Sequence, residues 1–403
     1  MTTKETSLSK IKNKDLIIIK RDGREENFSK YKLARVCNWA NNNNEEMTEL
    51  LLRDTVIKLK GKVKIEVMYD ALIDTAISKI SMIQPGWQMV ASKLYALKMY
   101  GEAYGIKNKR YPHIAEVIKK GVAAKVYSRE VFDSYTEEDI NKINGFIENE
   151  RDWSTPYHSL KQFDEKYCKK YSKTKKLELP QMTYIRVAMG LAYNLTDAVA
   201  NGGLTRVQII KKLYNILSNR LATLATPIMM NASTNLNSFA SCILNTVGND
   251  TWDIANKLST TMLYTKGAGG LAFDISHIQA KGSVTNNNVK ASGIVPYIKA
   301  IEEAMVSMVQ SENRRGSAVI TCNWWHYEIE GFLQLKDASG GTPENRALHL
   351  QYSLATNDYF LEKVKKDEDI WLFDPLETKD LLYIYGDEFV EKYEEFVAKP
   401  GIR

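Results

Sequence analysis

The first hundred residues place apolar and polar positions in an order that predicts a hairpin followed by a small helical bundle. An apolar run at residues 16–19, a turn at Asp22-Gly23 and a short strand through Phe28 are typical of a β-hairpin. Ser29 is suited to cap the helix that follows. That helix has its apolar residues at helical spacing on one face, at Leu33, Val36, Cys37 and Ala40.

Helical spacing then continues to about residue 220. Further amphipathic helices are predicted around residues 50–59, 67–80 and 87–100. The bundle is expected to end near Gly105. We therefore expect a first domain over residues 1–105 and a helical region over residues 106–220.

After Leu221 the pattern changes to short apolar runs divided by glycine, asparagine and proline. Runs typical of strands occur at residues 242–244, 271–275, 318–322 and 370–373. Helical stretches are predicted at residues 295–308 and 388–397. This alternation is typical of an α/β sheet or barrel, so a third domain is expected over residues 221–403.

The composition is that of an ordinary globular protein. Its 403 residues, 44% hydrophobic and 26% charged, suffice for two or three domains with a real core. The formal charge of +6 is spread along the sequence, which supports a nucleic-acid-binding tail only weakly and suits phosphorylated small molecules equally well. No stretch approaches the length of a membrane span and the first residues lack a signal-peptide core, so neither export nor membrane embedding is expected.

The four cysteines indicate a reducing compartment. They have no CxxC spacing and no nearby histidine pattern, which favours neither a zinc site nor a disulfide framework, so a cytoplasmic location is expected. A cysteine in an apolar run, such as Cys242, is most often a small buried hydrophobe. A redox role for it requires a partner thiol. The other three, Cys37, Cys168 and Cys322, lie in predicted helix, helix and strand with no sign of pairing.

The predicted hairpin tip is a candidate nucleotide site. The charged residues around it are Lys20, Arg21, Glu26 and Lys32. Lysines and the free N–H groups of a helix N-terminus suit triphosphate oxygens, and a carboxylate can hold a ribose or adenine donor. Charged hairpin tips are, however, commonly just solvated.

Two later segments are rich in glycine or arginine. Residues 266–270 contain three glycines, which let a backbone approach a phosphate or ribose closely, although a tight connection explains them as well. Residues 310–316 hold adjacent arginines, Arg314 and Arg315, that can grip a phosphate or stack on a base, although such loops are often merely exposed. Trp325-His326 fits packing better than a catalytic histidine.

Together these segments resemble the large subunit of class I ribonucleotide reductase, in order and approximate spacing along nearly the whole chain. Residues 20–26 resemble the start of that family's ATP-cone domain, which senses ATP and dATP. Residues 225–242 resemble the first strand of the catalytic barrel. The resemblance implies an α/β fold with a helical N-terminal part: an ATP cone, a helical region and the first part of a ten-stranded α/β barrel.

The resemblance also implies roles for individual residues. Cys242 would be one of the two reducing cysteines. Contacts with the substrate are implied for Thr226, Ser241, Ala268, Gly269, Gly270, Arg314 and Arg315. The specificity effector, a deoxynucleoside triphosphate, is implied at Asp250, Thr251, Trp252 and Gln310. The ATP cone would use Lys20, Arg21, Glu26 and Lys32, and matches of a structural kind are Trp325-His326 and Glu344-Asn345-Arg346-Ala347.

The chemistry of that family explains why a thiol is needed at Cys242. A thiyl radical takes the 3′-hydrogen of the ribose, the 2′-hydroxyl leaves as water, and a thiol on the opposite face supplies reducing hydrogen. The family's radical-bearing cysteine, second reducing cysteine, C-terminal tyrosines and tail thiols do not occur in this sequence. We therefore expect a split subunit whose remainder is a separate polypeptide, with a truncated product of a continuous gene as the other possibility.

Two departures from the family pattern concern regulation. Where the ATP cone usually offers a threonine, histidines and a lysine, this sequence has Ile65, Tyr69, Lys98 and Gly101. We therefore expect a weakened or lost overall-activity switch. An arginine of the specificity region is replaced by Gln279, so the effector phosphates are expected to be held differently.

The implied activity is reduction of ribonucleoside diphosphates to deoxyribonucleoside diphosphates, with the chain inactive alone. The implied partners are a complementing C-terminal large-subunit chain, a small subunit with a diiron-tyrosyl radical, ATP or deoxynucleoside triphosphate effectors, and a thioredoxin or glutaredoxin system. No covalently bound cofactor, metal, membrane or direct nucleic-acid partner is implied. The alternative is a non-catalytic nucleotide-binding regulatory subunit that kept the cone and the effector site.

Overall fold

The chain forms two compact units in the computed structural model. The first comprises the chain up to Leu224 together with Ile228–Asn237, and the second comprises Ala225–Pro227 and Ser238–Arg403. The structure describes residues 16–105, 112–172, 175–195, 202–236, 238–266, 269–284, 289–311, 314–339 and 346–402. Within these ranges, no helix is both long and apolar enough to cross a membrane.

The first unit begins with a three-stranded sheet and four helices. In chain order they are β1 (Ile17–Ile19), β2 (Glu25–Asn27), α1 (Lys30–Ala40), α2 (Glu45–Val56), β3 (Lys62–Lys64), α3 (Ile65–Ile77) and α4 (Trp87–Tyr104). Strand β1 pairs antiparallel with β2 and parallel with β3. The Ser29 hydroxyl accepts a hydrogen bond from the Lys32 N–H at 3.3 Å, as expected of a helix cap. The predicted hairpin, cap and helices are confirmed.

One hydrophobic core holds these elements together. Leu33 and Cys37 of α1 pack with Leu51 of α2, Leu72 of α3 and Leu94 of α4, all nearly or fully buried. Strand β3 was not predicted, because its sequence Lys-Val-Lys is short and only its central valine is buried. Helix α4 ends at Tyr104 and is capped by Gly105, whose φ of +62° lies in the left-handed region that glycine adopts readily.

The rest of the first unit is mainly helical. Its elements are α5 (Ile114–Ala123), α6 (Arg129–Asp133), α7 (Glu137–Asn144), α8 (Glu150–Trp153), α9 (Tyr157–Lys166), β4 (Lys170–Ser172), β5 (Lys175–Lys176), α10 (Pro180–Ala192) and α11 (Arg206–Ser218). Helix α12 (Thr226–Asn231) begins among residues assigned to the second unit. The predicted helical character is confirmed apart from the hairpin of β4 and β5.

That hairpin makes the helical prediction for Cys168 wrong. Helix α9 ends at Lys166, and Cys168 lies in the turn before β4. The chain turns here because the Lys169 carbonyl accepts hydrogen bonds from the Leu177 and Glu178 N–H groups, at 2.9 Å and 3.0 Å. These bonds close the hairpin instead of continuing the helix.

The second unit is built on a four-stranded parallel sheet. Its strands are β6 (Cys242–Thr246), β7 (Gly270–Asp274), β10 (Ala318–Asn323) and β11 (Gln351–Ala355), in the order β11-β10-β7-β6. The remaining elements are α13 (Thr251–Lys266), α14 (Val295–Val306), the hairpin of β8 (Val309–Ser311) and β9 (Arg314–Arg315), α15 (Ile329–Gln334), α16 (Asp358–Lys366), a 3-10 helix (Lys379–Leu382) and α17 (Gly386–Ala398). The predicted α/β alternation is confirmed.

Two strand predictions in this unit are wrong. Residues 370–373 form a single bridge between Phe373 and His326, because the Trp371 backbone bonds to the Tyr393 hydroxyl and Phe373 packs among aromatic rings. Residues 225–242 are not one strand, since Thr226 starts α12 and the strand begins at Cys242. Proline at position 227 suits the first turn of a helix, where its missing N–H has no partner to lose.

Candidate functional site

Among the residues that the structure describes, the parallel sheet of the second unit buries one face against helices and leaves the other more exposed. On the covered face, Phe273, Ile320 and Cys322 are fully buried and pack with Ile298 and Met305 of α14. The opposite face, which we call the open face, carries every second residue of each strand. Burial alternates accordingly, and Leu244 on the open face is 81% exposed.

The strand register shows which residues are neighbours on the open face. Cys242 lies opposite Gly270, and Thr246 lies opposite Asp274, which in turn lies opposite Thr321. Between Cys242 and the row of Thr246, Asp274 and Thr321 lies a row of three apolar residues, Leu244, Ala272 and Val319. Gln351 of β11 continues that row. The open face therefore has a thiol at the start of its edge strand and a polar row at the far end of the strands.

Cys242 differs from the other cysteines in accessibility. Its side chain is exposed, whereas Cys37, Cys168 and Cys322 are buried. Burial raises the pKa of Cys37 to about 12, and it also raises the pKa values of Cys168 and Cys322 above their usual range. Because the thiolate is the reactive form of cysteine, the three buried thiols are inert by comparison. The common expectation of a buried cysteine at position 242 is wrong for this fold.

The segment beside Cys242 is shaped by glycines. The Gly270 N–H donates to the Ser241 carbonyl at 2.7 Å, and the Ser241 hydroxyl lies 3.7 Å from the Cys242 sulfur. A Cβ on Gly269 would lie 3.2 Å from the Ile243 side chain, closer than most side chains tolerate. Glycine thus brings the 269–270 backbone directly alongside Ser241 and Cys242, while Ala268 lies outside the described residues. Thr226 is assigned to the same compact unit.

The predicted effector residues lie at the start of α13. The Asp250 carboxylate accepts a hydrogen bond from the Asp253 N–H at 2.9 Å and so caps the helix. Two amide hydrogen bonds, 3.0 Å and 3.2 Å long, join Asn249 to Gln279. Thr251 is exposed and Trp252 is 81% exposed. Gln279, where we expect the family to have an arginine, is therefore bonded to Asn249, the residue before Asp250.

The predicted loop at residues 310–316 is a short antiparallel hairpin. Gln310 lies in β8, and Arg314 and Arg315 form β9, for which only the backbone is described. Close packing explains why a glycine follows the hairpin, since a Cβ on Gly316 would lie 2.6 Å from the side chain of Thr265 of α13. The end of the hairpin thus packs against the C-terminal end of α13, whose N-terminus carries the predicted effector residues.

Three of the four predicted cone residues line one cavity in the first unit. This cavity, which we call the cone cavity, has a volume of about 150 Å³ and is lined by Lys20, Glu26 and Lys32 together with apolar residues. Glu26 accepts from Lys32 at 2.9 Å and lies 3.3 Å from Lys20. The hydrogen bond from Lys32 and the bond and charge of Lys20 lower the pKa of Glu26. In the structure the two candidate phosphate ligands are therefore paired with an internal carboxylate.

Arg21, the fourth predicted cone residue, is not among the residues that line that cavity. Its Nε lies 3.0 Å from a carboxylate oxygen of Glu66. Its guanidinium also fills the space beside Gly101, where a Cβ would lie 2.3 Å from Nη1. Lys98 pairs with Asp70 on α3. Tyr69 lines the cone cavity, and burial raises its pKa. Tyr69, Lys98 and Gly101, where we expect the sequence to depart from the family pattern, thus make contacts within the domain.

His326 has a structural setting, as the sequence indicated. It is fully buried, with Nε2 2.9 Å from the Ile278 carbonyl and Nδ1 accepting from the Glu328 N–H at 3.1 Å. This arrangement requires the neutral ring with its proton on Nε2. Of the structural matches, Glu344 and Asn345 lie outside the described residues, and Ala347 is fully buried.

One polar cluster in the first unit was not found from the sequence. The fully buried Glu178 carboxylate accepts from Arg186 and from the Tyr127 hydroxyl, both at 2.6 Å, and from Thr183 at 2.8 Å. Arg186 also donates to the Met229 carbonyl at 2.8 Å and the Ala232 carbonyl at 2.5 Å. A glutamate and an arginine eight residues apart give no periodic signal that marks them as a buried pair.

Comparison with protein families matches three successive parts of the chain. Residues 16–96 match the ATP cone domain, residues 154–237 match the all-alpha domain of ribonucleotide reductase, and residues 240–403 match the barrel domain of ribonucleotide reductase. The predicted fold class, a cone, a helical region and part of the α/β barrel, is confirmed.

The proteins to which the chain is similar are named as alpha subunits of ribonucleoside-diphosphate reductase. The chain is 29% identical over 393 residues to the ribonucleoside-diphosphate reductase subunit alpha of Helicobacter pylori, covering 96% of this chain and 48% of that protein. It is also 29% identical to the ribonucleoside-diphosphate reductase 1 subunit alpha of Escherichia coli K12, and the match covers 97% of this chain and 51% of that protein. The ribonucleoside-diphosphate reductase subunit alpha of Enterobacteria phage T4 is likewise 29% identical, and the match covers 96% of this chain and 51% of that protein. The chain spans about half the length of these relatives.

Proposed function

Because the chain belongs to the ribonucleotide reductase large-subunit family, we propose that it supplies part of the apparatus that reduces ribonucleoside diphosphates. In this proposal Cys242 is a reducing thiol, and the substrate lies against the open face beside Ser241 and Gly270. The observation that carries the proposal is the accessibility of Cys242, in contrast to the three buried cysteines.

The proposed reaction exchanges a C–OH bond for a C–H bond at the 2′-carbon of the ribose. The hydroxyl leaves as water, and a pair of thiols is oxidised to a disulfide, which balances the two electrons gained by the sugar. Cys242 provides one thiol, and the second comes from the remaining part of the large subunit. A radical supplied by a small subunit activates the substrate at the 3′-carbon. The residues of this chain bind the substrate, orient it and deliver hydrogen from the Cys242 sulfur.

The open face also supports the proposal that further barrel strands complete this site. Parallel sheets are normally covered on both faces, because their strands lie in the interior of α/β proteins. Here Leu244 is 81% exposed on the open face. We propose that the remaining part of the family's barrel covers it, carried either by the same polypeptide or by a complementing chain, and that reduction requires this cover.

We further propose that the chain binds nucleotide effectors at two places. Asp250 at the start of α13 is suited to a hydroxyl donor of a deoxynucleoside triphosphate, with Thr251 and Trp252 next to it in the helix, and we propose Gln310 of the hairpin as a further effector residue. In the cone cavity, Lys20 and Lys32 would release Glu26 to bind phosphate oxygens. The small volume of this cavity, about 150 Å³, means that most of a triphosphate would lie outside it.

Reconstitution tests this function. The chain would be mixed with a polypeptide carrying the rest of the barrel, a diiron-tyrosyl small subunit and a thioredoxin or glutaredoxin system, and reduction of cytidine diphosphate would be measured. We expect turnover with the wild type, none with Cys242→Ser, and turnover with the control Cys37→Ala, which alters a buried cysteine of the cone. Wild-type turnover by Cys242→Ser would refute the proposed role.

A second candidate is a nucleotide-binding regulator without catalysis. It is favoured by one observation, the clustering of Lys20, Lys32 and Glu26 at a cavity in the first unit. Equilibrium dialysis with ATP and dATP distinguishes the two functions when combined with the reconstitution assay. Binding of nucleotide together with no turnover in any reconstituted mixture would favour the regulator.

A further inference from the structure

A second cavity in the first unit has no role in the function proposed above. It has a volume of about 290 Å³ and lies among α9, α10, the end of α11 and residues 220–224. Its walls are mainly apolar, formed by Leu160, Phe163, Tyr167, Tyr184, Leu217 and Met229. This volume is close to the lower end of the range of about 300–1,000 Å³ found for small-molecule sites, which are likewise mostly apolar with a few polar groups.

Three aromatic rings form one wall of this cavity. The Phe163 ring centroid lies 5.2 Å from that of Tyr167 and 4.8 Å from that of Tyr184. All three side chains are half-buried, so part of each ring faces the cavity. Burial raises the pKa of Tyr184 above its usual range, which keeps its hydroxyl protonated as a hydrogen-bond donor. The wall therefore suits a planar ring.

The charge at the cavity is positive. Arg220 is the charged residue among those lining it, and no lining residue is acidic. Its Nη1 donates to the Thr155 hydroxyl at 2.8 Å and to the Ser154 carbonyl at 3.2 Å, which are neutral acceptors. Among the residues the structure describes, Arg220 forms no ion pair. Its guanidinium is thus held at the rim by neutral acceptors.

The cavity wall is held in place from behind. Arg186 donates to the Met229 carbonyl at 2.8 Å and reaches the Tyr167 carbonyl at 3.5 Å, so the buried Glu178–Arg186 cluster fixes two of the lining residues. Arg220 itself has a φ of +61°, a left-handed conformation that directs its side chain back over residues 154–155. Fixed walls and a fixed cation are features of a preformed binding site.

We propose that this cavity binds a planar aromatic anion, with its ring against Phe163, Tyr167 and Tyr184 and its carboxylate or other anionic group at Arg220. A guanidinium binds a carboxylate strongly because two parallel N–H donors match its two oxygens. Residues 222–224 lead directly into α12, so an occupant would also order the connection that precedes Thr226.

The test uses the full chain and two probes of the same shape. Titration calorimetry would measure binding of 2-naphthoate and of its neutral analogue 2-naphthamide. Arg220→Asn removes the charge while keeping a residue that tolerates the left-handed conformation. Arg129→Asn is the matched control, since Arg129 is an exposed arginine on α6. Leu224→Trp would fill the cavity.

We expect 2-naphthoate to bind the wild type and the Arg129→Asn control with equal affinity. Its affinity for Arg220→Asn should be lower by a factor of about ten or more. Leu224→Trp should abolish binding, and hydrogen exchange should slow at residues 159–167 and 217–224 on binding. Equal affinity for naphthamide and naphthoate, unchanged affinity in Arg220→Asn, or no binding at millimolar naphthoate would each overturn the proposal. None of these results depends on reductase activity.

Discussion

Replacing Arg186 with methionine removes the centre of the buried polar cluster in the first unit. Methionine keeps much of the length of the side chain but loses the bond to Glu178 at 2.6 Å and the bonds to the Met229 and Ala232 carbonyls at 2.8 Å and 2.5 Å. The Glu178 carboxylate stays fully buried, with the Tyr127 and Thr183 hydroxyls as its remaining side-chain partners. A buried carboxylate without its cation is the main source of the expected cost.

The expected loss is about 3–5 kcal/mol in the free energy of unfolding, the usual cost of removing one member of a buried ion pair. This is a large part of the total of about 5–15 kcal/mol typical of a folded protein. Urea unfolding followed by circular dichroism would measure it. The double variant Arg186→Met, Glu178→Gln should lose less than the sum of the single variants, because it removes the unpaired charge.

A matched control is available on the surface of the same unit. Lys142 and Glu138 pair at 2.6 Å on α7, but their side chains are 58% and 77% exposed. Lys142→Met should therefore cost no more than about 0.5 kcal/mol. A cost below about 1 kcal/mol for Arg186→Met, or a double variant that loses the full sum, would contradict the argument from burial.

Three further predictions concern the second unit. Iodoacetamide should label Cys242 of the native chain first, with Cys37, Cys168 and Cys322 labelled only on unfolding, as peptide mass spectrometry can show. Gly316→Ala should cost about 1–3 kcal/mol by urea unfolding, because its Cβ would lie 2.6 Å from Thr265 and 2.9 Å from Met305. Stability should fall as the pH drops below about 6.5, because burial lowers the pKa of His326 in the folded state and the unfolded chain binds the proton more readily. His326→Gln should reduce that pH dependence, as urea midpoints at pH 7.5 and 5.5 would show.

Each of these three predictions has an outcome that would contradict it. Labelling of a buried cysteine as fast as Cys242 would contradict the difference in accessibility. Gly331→Ala is the control for Gly316, since no atom lies within 4 Å of its added Cβ and alanine favours the helix, so it should be neutral or stabilising. An equal loss in both glycine variants would refute the packing argument. An unchanged pH dependence in His326→Gln would show that another group titrates.

Local patterns predicted many elements of this fold. The helices of the cone follow apolar periodicity, the Ser29 cap follows from its residue type, and the strands of the sheet were predicted from short apolar runs at residues 242–244, 271–275 and 318–322. The segment 370–373 failed because its apolar residues serve an aromatic cluster around Tyr393, a long-range contact that a local pattern does not contain. Strand β11 was missed because polar Gln351 and Ser353 alternate with Tyr352 and Leu354, so it lacks the continuous apolar run that predicted the other three strands of the sheet.

The candidate site was predicted from family resemblance more than from pattern. The sequence pattern identified the glycines at residues 266–270 as a candidate binding segment, but for Cys242 the pattern alone favoured a buried side chain. Exposure of Cys242 follows from its place on an uncovered sheet face, which depends on register with β7 rather than on local sequence. The pairing of Glu26 with both cone lysines likewise depends on contacts made across the hairpin and α1.

The most direct test of the central claim is the oxidation state of Cys242 after one turnover. The reconstituted enzyme would be allowed to reduce cytidine diphosphate without external reductant, then quenched, alkylated and mapped by peptide mass spectrometry. We predict that Cys242 becomes part of a disulfide in proportion to the deoxycytidine diphosphate formed, while Cys37, Cys168 and Cys322 remain free thiols. Formation of product with Cys242 still a free thiol would contradict the account.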